Sequence, residues 1–274
     1  MDSLDRLIDL ALAEDVGPGD LTSEALIPAD AEGRGEFLCK ERMVLAGTEA
    51  ASRTFLAVDP RCRVSFFVEE GRVIEPGIAF GAVEGPIRAL LTGERTALNF
   101  LQRLSGVATL TRTWVEALAG TRLQLLDTRK TLPGFRALEK EAVRAGGARN
   151  HRFALHDGVL IKDNHLAAVG SIEEAVARAR SRAPLLTKIE VEVVDVEGAK
   201  AAVAAGADVI LLDNMSDEAI AEAVRAVAGR ALVEVSGGVS LERLGRLAAT
   251  GADFVSAGAI THQARAVDIS FNLA

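Results

Sequence analysis

Basic residues are concentrated in one window of an otherwise acidic chain. Between Arg122 and His165 there are nine Lys and Arg against five Asp and Glu, whereas the whole chain carries a net charge of −8. A local excess of cations in an acidic protein predicts a site for an anionic small molecule. Within this window Arg136, Lys140 and Arg144 are four residues apart, a spacing that predicts the solvated face of a helix.

The remaining cations of this window are better placed for chemistry. Arg129 and Lys130 follow an apolar run, His151 and Arg152 are adjacent, and Lys162 follows a second apolar run. An Arg can clamp a carboxylate through two parallel hydrogen bonds, whereas a Lys acts as a point charge on phosphate. These residues by themselves predict a site that binds a multiply charged anion.

Three carboxylates follow or interrupt neighbouring apolar runs. Glu190 and Glu192 are two residues apart on a predicted strand, so they share one face. Asp213 ends the next predicted strand. Glu192 and Asp213 are therefore candidates to flank one bound molecule, either by binding its sugar hydroxyls or by coordinating a substrate-bound Mg²⁺. The alternative is a structural network of ion pairs with Lys130 and Lys162.

Two turns of small residues follow later strands. These are Ser236-Gly237-Gly238 and Ser256-Ala257-Gly258, and each is followed by a helical pattern. Backbone N–H groups of such turns can approach an anion closely, so the pair predicts a phosphate site. The alternative is ordinary tight turns. Neither has the Gly-Lys-Ser/Thr sequence of a Walker-A loop.

The elements that must position these residues alternate between strands and helices. Glu192, Asp213, Ser236 and Gly258 are 21 to 23 residues apart, with Ala-rich helical patterns between them. This pitch predicts parallel βα units that form a barrel or, as the less favoured alternative, an open doubly wound sheet. In both architectures ligands bind at the carboxyl ends of the strands. The predicted strands are Leu123–Leu126, Val159–Ile161, Ile189–Val193, Val209–Leu212, Leu232–Val235 and Phe254–Val255.

The first 107 residues have a different pattern. A helix is predicted from Asp2 to Glu14, and short apolar runs between residues 35 and 91 predict a small sheet-containing domain. A further helix is predicted from Glu94 to Leu104, ended by Ser105-Gly106. We therefore divide the chain near residue 107.

Composition narrows the class of protein. The chain has 274 residues, of which 49% are hydrophobic and 26% charged, and it has two cysteines. Cys39 and Cys62 are not in metal-ligand spacing, and we expect two buried thiols in a reducing compartment. The N-terminus is acidic and lacks the order of a signal peptide, so a cytoplasmic location is expected. We expect neither nucleic-acid nor membrane binding.

Several motifs in order resemble quinolinate phosphoribosyltransferase. The likeness extends along the whole chain and is strongest at 127–136 (Asp-Thr-Arg-Lys-Thr-Leu-Pro-Gly-Phe-Arg). Departures from the family pattern occur at Leu132, Glu141, Ala145 and Gly147-Ala148, and none of them removes a charged site residue. The other motifs are 15–23, 94–99, 139–152, 160–165, 190–192, 212–215, 236–238 and 261–262.

The resemblance implies a reaction and a fold. Quinolinate and phosphoribosyl pyrophosphate would give nicotinate mononucleotide, pyrophosphate and CO₂, with substrate-associated Mg²⁺, in NAD biosynthesis. It implies an N-terminal α/β sandwich (1–107, joined by the tail 268–274) and an incomplete (β/α) TIM-like barrel (108–267). It also implies a homodimer, with a hexamer as an alternative.

Roles for residues follow from the same resemblance. The catalytic residues would be Lys130, Glu192 and Asp213. Quinolinate would bind Arg129, His151, Arg152 and Lys162, together with Arg95 of the partner chain. Phosphoribosyl pyrophosphate would bind Lys130, Lys162, Glu192, Asp213, Ser236, Gly237, Gly238, Ala257, Gly258 and His262.

Three other functions stay open at this point. The first is a related pyrophosphorylase-like protein associated with molybdenum transport, which shares the Asp-Thr-Arg-Lys motif. The second is a Schiff-base lyase that uses Lys130 or Lys162. The third is a non-catalytic phosphometabolite-binding protein, which would explain the Gly turns but not the acidic strand ends.

Overall fold

The computed structural model describes residues 2–273. Its strands are β1 Glu32–Cys39, β2 Met43–Val44, β3 Arg63–Phe66, β4 Val73–Ile74, β5 Ala79–Pro86, β6 Gln124–Leu126, β7 Val159–Ile161, β8 Ile189–Val193, β9 Val209–Asp213, β10 Leu232–Ser236, β11 Phe254–Ser256 and β12 Ile269–Leu273. Its helices are α1 Ser3–Asp15, α2 Leu21–Leu26, α3 Thr48–Val58, α4 Ile87–Ala117, α5 Arg136–Gly146, α6 Asp163–Val169, α7 Ile172–Arg182, α8 Val196–Ala204, α9 Asp217–Val227, α10 Leu244–Ala249 and α11 Ala259–His262, with a 3₁₀ turn at Leu241–Arg243.

The chain divides into two compact units. The first contains residues 2–112, 132–147 and 263–273, and the second contains Thr113–Thr131 and Ala148–His262. Among the residues described, no helix is long and apolar enough to cross a membrane.

The first unit is built on an antiparallel sheet in the order β12-β1-β5-β3. Phe37 on β1 pairs with Phe271 on β12, and their rings are 4.9 Å apart between centroids. Phe55 from α3 and Phe80 from β5 pack on the same cluster and are fully buried. Because each buried ring removes a large apolar area from water, Phe37→Ala is expected to destabilise this core by about 3–5 kcal/mol.

The helix predicted from Glu94 to Leu104 is much longer, so the predicted stop at Ser105-Gly106 is wrong. α4 runs from Ile87 to Ala117, and it also includes a segment, 87–91, interpreted from the sequence as part of the sheet domain. Ser105 Oγ donates to Ala46 O and accepts from Ala46 N, each at 3.1 Å. A β-carbon at Gly106 would lie 2.0 Å from the carbonyl oxygen of Arg265. Other segments of the chain pack closely on the helix at both positions, so only small residues fit there. The local sequence does not reveal this packing.

The prediction that Lys140 lies on a solvated helix face is also wrong. Lys140 on α5 is only 2% exposed, and the adjacent Glu139 is fully buried. Glu139 Oε1 accepts a hydrogen bond from Arg103 Nε at 3.1 Å, and its Oε2 accepts from the Leu132 amide at 3.2 Å. The spacing of four residues identifies a helix face correctly, but it does not show whether that face is covered.

The second unit confirms the predicted fold class. Its six strands lie in the order β6-β11-β10-β9-β8-β7, and each pair of neighbours is parallel. Each predicted strand is present, with its ends at or within one residue of the predicted bounds. Helices follow the strands as the 21- to 23-residue pitch predicts, which is the connection that parallel strands require.

Short-range signals set the turns between these strands and helices. Asp195 caps α8 by accepting a hydrogen bond from Gly198 N at 2.7 Å, and Ser216 caps α9 through Ala219 N at 3.2 Å. Ser240 instead precedes the 3₁₀ turn and its side chain makes no capping bond. Because the strands are parallel, their carboxyl ends and the polar residues there lie at one edge of the sheet.

Candidate active site

A cavity of about 510 Å³ lies at the carboxyl ends of the parallel strands, within the second unit. Its volume is in the range of small-molecule sites. Ten residues predicted from the sequence line it: Arg129, Lys130, His151, Arg152, Lys162, Glu192, Asp213, Ser236, Gly237 and Gly238. Residues far apart in the chain therefore converge on one pocket, as expected from the positions of the strand ends.

Two guanidinium groups form a cationic wall of the pocket. Burial lowers the pKa of Arg152, and the positive charge of Arg129 lowers it further. Both side chains line the same cavity, so one anionic ligand can contact both of them. Arg152 Nη1 also donates to Gly158 O at 3.2 Å, which holds its side chain in the loop. An anion between the two groups would relieve their repulsion.

His151 lines the pocket and contacts two buried carboxylates. Its Nε2 lies 3.0 Å from Glu190 Oε2 and 3.4 Å from Glu234 Oε2, and the carboxylates are 8% and 2% exposed. Burial lowers the pKa of His151, but the bonds to Glu190 and Glu234 outweigh burial and raise this pKa to about 10. The Arg152 backbone N–H donates to Nδ1 at 2.7 Å and opposes that rise. This bond uses the lone pair of Nδ1, so in the structure the ring proton is on Nε2, from which it is donated to Glu190.

The same three side chains could in principle hold a metal ion, because their ligand atoms all lie within 4.8 Å of one another. A metal needs the lone pair of a deprotonated imidazole nitrogen. The carboxylates of Glu190 and Glu234 instead favour a proton on His151. We therefore interpret this group as a buried cluster of hydrogen bonds and ion pairs rather than a metal centre.

Lys162 and Glu192 form an ion pair across the mouth of the pocket. Lys162 Nζ lies 2.8 Å from Glu192 Oε2, and the two side chains are 44% and 15% exposed. This pair is one contact of the structural network considered from the sequence. Both groups line the pocket. An anionic ligand can therefore compete with Glu192 for Lys162, and a cationic ligand can compete with Lys162 for Glu192.

The turn after β9 places Asp213 beside the turn after β10. Asn214 has a left-handed backbone (φ +54°), its N–H donates to Ser236 O at 3.0 Å, and its Nδ2 donates to Asp213 Oδ2 at 2.7 Å. Gly237 packs directly on Asn214 and also has a left-handed φ of +80°. The two turns therefore form one unit that orients the Asp213 carboxylate.

Glu192 and Asp213 fit the requirements of a substrate-associated Mg²⁺. Glu192 pairs in register with Leu211, and Asp213 is two residues beyond Leu211, so both carboxylates are on the same face of the sheet. Mg²⁺ commonly takes one or two carboxylates together with oxygens of substrate phosphates. The donor set is therefore suitable, and the role of these residues as ligands stays a prediction.

Four of the residues predicted for the site do not line the cavity: Ala257, Gly258, His262 and Arg95. Ala257 is buried and its N–H donates to Leu126 O at 3.1 Å, while Gly258 lies against Lys130 and His262. Arg95 belongs to the first unit, where its side chain is 60% exposed and lies 3.7 Å from Glu94. The roles given to these four residues by the resemblance stay predictions.

Two buried acidic residues had no role in the sequence analysis. Asp127 is fully buried, and its carboxylate accepts from Asn150 Nδ2 and from His151 N, each at 2.8 Å. Glu234 is the centre of the apolar strand β10, two residues before Ser236. A charged residue on the ligand-facing side of an otherwise apolar strand is a signal that could have identified Glu234.

Comparisons with known proteins give one consistent result. Family models described as quinolinate phosphoribosyl transferase, N-terminal domain and C-terminal domain, match residues 20–105 and 107–272. A probable nicotinate-nucleotide pyrophosphorylase [carboxylating] of Bacillus subtilis is 40% identical over 98% of this chain and 93% of its own length. The nicotinate-nucleotide pyrophosphorylase [carboxylating] of Mycobacterium leprae is 44% identical over 96% of this chain and 94% of its own length.

The solved structures agree with these relatives. The crystal structure of NadC from Streptococcus pyogenes superimposes with a TM-score of 0.95 and 41% identity, covering 99% of this chain and 96% of that chain. The molybdenum-associated relative, the Schiff-base lyase and the non-catalytic binding protein receive no support from these relatives.

Proposed function

The chain belongs to the quinolinate phosphoribosyltransferase family, and we propose that its pocket joins quinolinate to phosphoribosyl pyrophosphate with loss of CO₂. The products are nicotinate mononucleotide, pyrophosphate and CO₂, which places the enzyme in NAD biosynthesis. The observation that carries this proposal is the convergence of Arg129, Lys130, Arg152 and Lys162 on one pocket in a chain with full-length relatives of this activity.

Quinolinate has two ring carboxylates, and the cationic wall matches both. Arg129 and Arg152 repel one another without a ligand, so a carboxylate that bridges them gains attraction from both guanidinium groups. Lys162 can bind the second carboxylate of quinolinate once the ion pair between Lys162 and Glu192 breaks. His151 has both ring nitrogens in contact with protein groups, so its part in substrate binding is to fix the backbone at Arg152.

The second substrate extends over the other half of the pocket. Lys130 suits the pyrophosphate as a point charge. The turn at Ser236-Gly237-Gly238 suits the 5′-phosphate, because it lines the cavity and its two glycines have no side chain to keep an anion away from the backbone. In this proposed arrangement C1′ of the ribose would lie between the quinolinate ring and the pyrophosphate.

Transfer breaks the bond between C1′ and pyrophosphate and forms a bond from C1′ to the ring nitrogen. C1′ gains positive charge as the pyrophosphate leaves, and the carboxylates of Glu192 and Asp213 stabilise that charge electrostatically. Glu192 and Asp213 would hold a Mg²⁺ ion, which would neutralise negative charge on the leaving pyrophosphate. The protein positions the reactants and neutralises charge, and it needs no nucleophile of its own.

Decarboxylation follows from the charge of the alkylated ring. Once the ring nitrogen bears the ribose, it withdraws the electron pair of the C–C bond to the adjacent carboxylate as CO₂ departs. A proton then replaces CO₂ on that ring carbon and gives nicotinate mononucleotide. No protein base is required for this step.

The reaction is tested by product formation. The protein is mixed with Mg²⁺, phosphoribosyl pyrophosphate and quinolinate labelled with ¹⁴C in the carboxylate that is lost. Equal amounts of nicotinate mononucleotide and ¹⁴CO₂ are expected, with neither product formed when phosphoribosyl pyrophosphate is omitted. A protein that binds both substrates and releases neither product would contradict the proposal.

A homodimer with a shared site is the further part of this proposal, with a hexamer of such dimers as the alternative assembly. The exposed guanidinium of Arg95 would reach the quinolinate site of the partner chain, where a charge-assisted hydrogen bond contributes roughly 1.5–3 kcal/mol. If Arg95 only pairs with Glu94 on its own surface, its removal has little effect.

Mixing two variants of low activity separates these two possibilities. In a mixed dimer of Arg95→Ala and Lys130→Ala chains, one site carries both defects and the other carries none. Activity should therefore return after subunit exchange. If exchange is verified by mass and no activity returns, Arg95 does not act across the interface.

The two free, buried thiols of Cys39 and Cys62 suit a reducing compartment, and the cytoplasm is the proposed location. Burial raises the pKa of the Cys62 thiol to about 11, which keeps it protonated and unreactive. Fractionation of cells with an antibody against the chain tests this location, and recovery in an oxidising compartment would contradict it.

A further inference from the structure

Gly258 lies directly beneath the side chain of Lys130. A β-carbon at Gly258 would be 2.6 Å from Lys130 Cδ, well inside van der Waals contact, and 3.2–3.3 Å from two atoms of the His262 ring. Lys130 therefore passes through the space that any other residue at position 258 would occupy. The Lys130 side chain lines the cavity, whereas Gly258 does not.

The backbone at Gly258 does not itself require glycine. Its φ is outside the left-handed region, unlike those of Gly237 and Gly238 in the preceding turn. An L-residue can adopt this conformation without backbone strain. Space for Lys130 is therefore the feature of position 258 that a side chain would disturb.

The following residues hold the backbone of Lys130 in the same place. Thr261 is fully buried, and its Oγ1 lies 2.8 Å from Lys130 O and 2.9 Å from Gly258 O. The N–H groups of Thr261 and His262 both donate to Gly258 O, at 3.1 and 3.0 Å. One short turn thus contacts Lys130 at its carbonyl oxygen and along its aliphatic stem.

We propose that the turn from Gly258 to His262 is a support that positions Lys130, with Gly258 keeping the path of the lysine side chain clear. This role differs from the phosphate contact that the resemblance implies for Gly258. The inference rests on the proposed function only in that Lys130 binds the pyrophosphate. The packing itself is independent of the reaction.

Substitution by alanine should displace Lys130 and leave the fold intact. The obstructed atom belongs to a flexible side chain, so Lys130 can rotate away at the modest cost of an unfavourable rotamer. The ammonium then leaves its place in the pocket. A displacement of about 1 Å at a reacting group can reduce the rate by roughly 100-fold.

A double-mutant cycle tests this directly. The four proteins are wild type, Gly258→Ala, Lys130→Ala and the double variant, each assayed for kcat/KM toward phosphoribosyl pyrophosphate. Gly258→Ala should reduce kcat/KM about 10- to 100-fold when Lys130 is present. It should change kcat/KM less than about 2-fold in the Lys130→Ala background, because the displaced group is gone. Equal losses in both backgrounds would overturn the proposal and favour direct contact of Gly258 with substrate.

Melting temperature gives a readout that does not depend on activity. Gly258→Ala should lower Tm by about 1–4 °C with Lys130 present and by less than about 1 °C without it. If Lys130→Ala keeps full activity, the proposed role of Lys130 fails, while the Tm cycle still tests the packing. Equal Tm changes in both backgrounds would overturn the packing claim.

Two further comparisons separate positioning from general damage. Gly245→Ala is the matched control, because Gly245 is an exposed helical glycine with no neighbouring atom within 4 Å of a β-carbon, and its kcat/KM should not change. Thr261→Ser keeps the hydroxyl and should retain activity, whereas Thr261→Val should lose activity to a similar degree as Gly258→Ala. Equal activities of the two Thr261 variants would contradict the role of that hydroxyl.

Discussion

Gly237 and Gly238 are adjacent in the turn after β10, yet their replacement by alanine should have different consequences. Both have left-handed backbones, with φ of +80° and +57°. A β-carbon at Gly237 would lie 2.2 Å from Asn214 Oδ1 and 2.8 Å from the backbone nitrogen of Asn214. At Gly238 the nearest atom would be Arg243 Nη1 at 3.5 Å, an ordinary contact.

The expected magnitudes follow from these contacts. An L-residue in the left-handed region costs about 1–2 kcal/mol, and both variants carry this cost. Only Gly237→Ala adds overpacking against a backbone atom, which costs about a further 1–3 kcal/mol. We therefore expect losses of unfolding free energy of roughly 1–2 kcal/mol for Gly238→Ala and 2–5 kcal/mol for Gly237→Ala.

The two variants should also differ in catalysis. Gly237→Ala pushes on Asn214, whose side-chain amide holds Asp213, so kcat should fall together with stability. Gly238→Ala leaves Asn214 in place, so the main effect should be a higher KM for phosphoribosyl pyrophosphate. Urea unfolding and steady-state kinetics of the two variants measure both effects. Equal losses of stability and of kcat in the two variants would refute the packing argument.

Three other predictions concern charge. Nicotinate has one ring carboxylate and leaves pocket cations unpaired, so its kcat/KM should be about 10³- to 10⁵-fold below that of quinolinate, and comparable values would contradict dicarboxylate specificity. Asp213→Asn should lower kcat about 10- to 1,000-fold while calorimetry shows less than about a 3-fold change in quinolinate Kd, and full activity at every Mg²⁺ concentration would make Asp213 structural. Since the pKa of His151 is raised to about 10, its stabilising effect should be complete below about pH 6.5 and lost as the pH rises through 10. The difference in unfolding free energy between wild type and His151→Gln, measured from pH 6 to 10.5, should therefore shrink, and a constant difference would show that Nδ1 stays unprotonated.

The strands of the second unit and their polar ends could be predicted because the signals are local. An apolar run and the polar residues that end it are both read within a few residues of the chain. Parallel strands then bring their carboxyl ends to one edge, so Glu192 and Asp213 are adjacent without any knowledge of side-chain contacts.

The errors occurred where distant segments decide the outcome. Ser105-Gly106 has the composition of a helix end, but it is an interior position on which Ala46 and the backbone at Arg265 pack. Lys140 has the spacing of a surface residue and is buried. Glu234 was missed because its partner His151 is more than eighty residues away in the chain, and no local pattern joins them.

The central claim is that both substrates bind in the cavity at the strand ends of the second unit. A crystal structure of the protein with nicotinate mononucleotide tests this claim most directly. The pyridine carboxylate is expected at Arg129 and Arg152, and the 5′-phosphate is expected against the Ser236-Gly237-Gly238 turn. Nucleotide bound at any other place, with this cavity empty at saturating concentration, would contradict it.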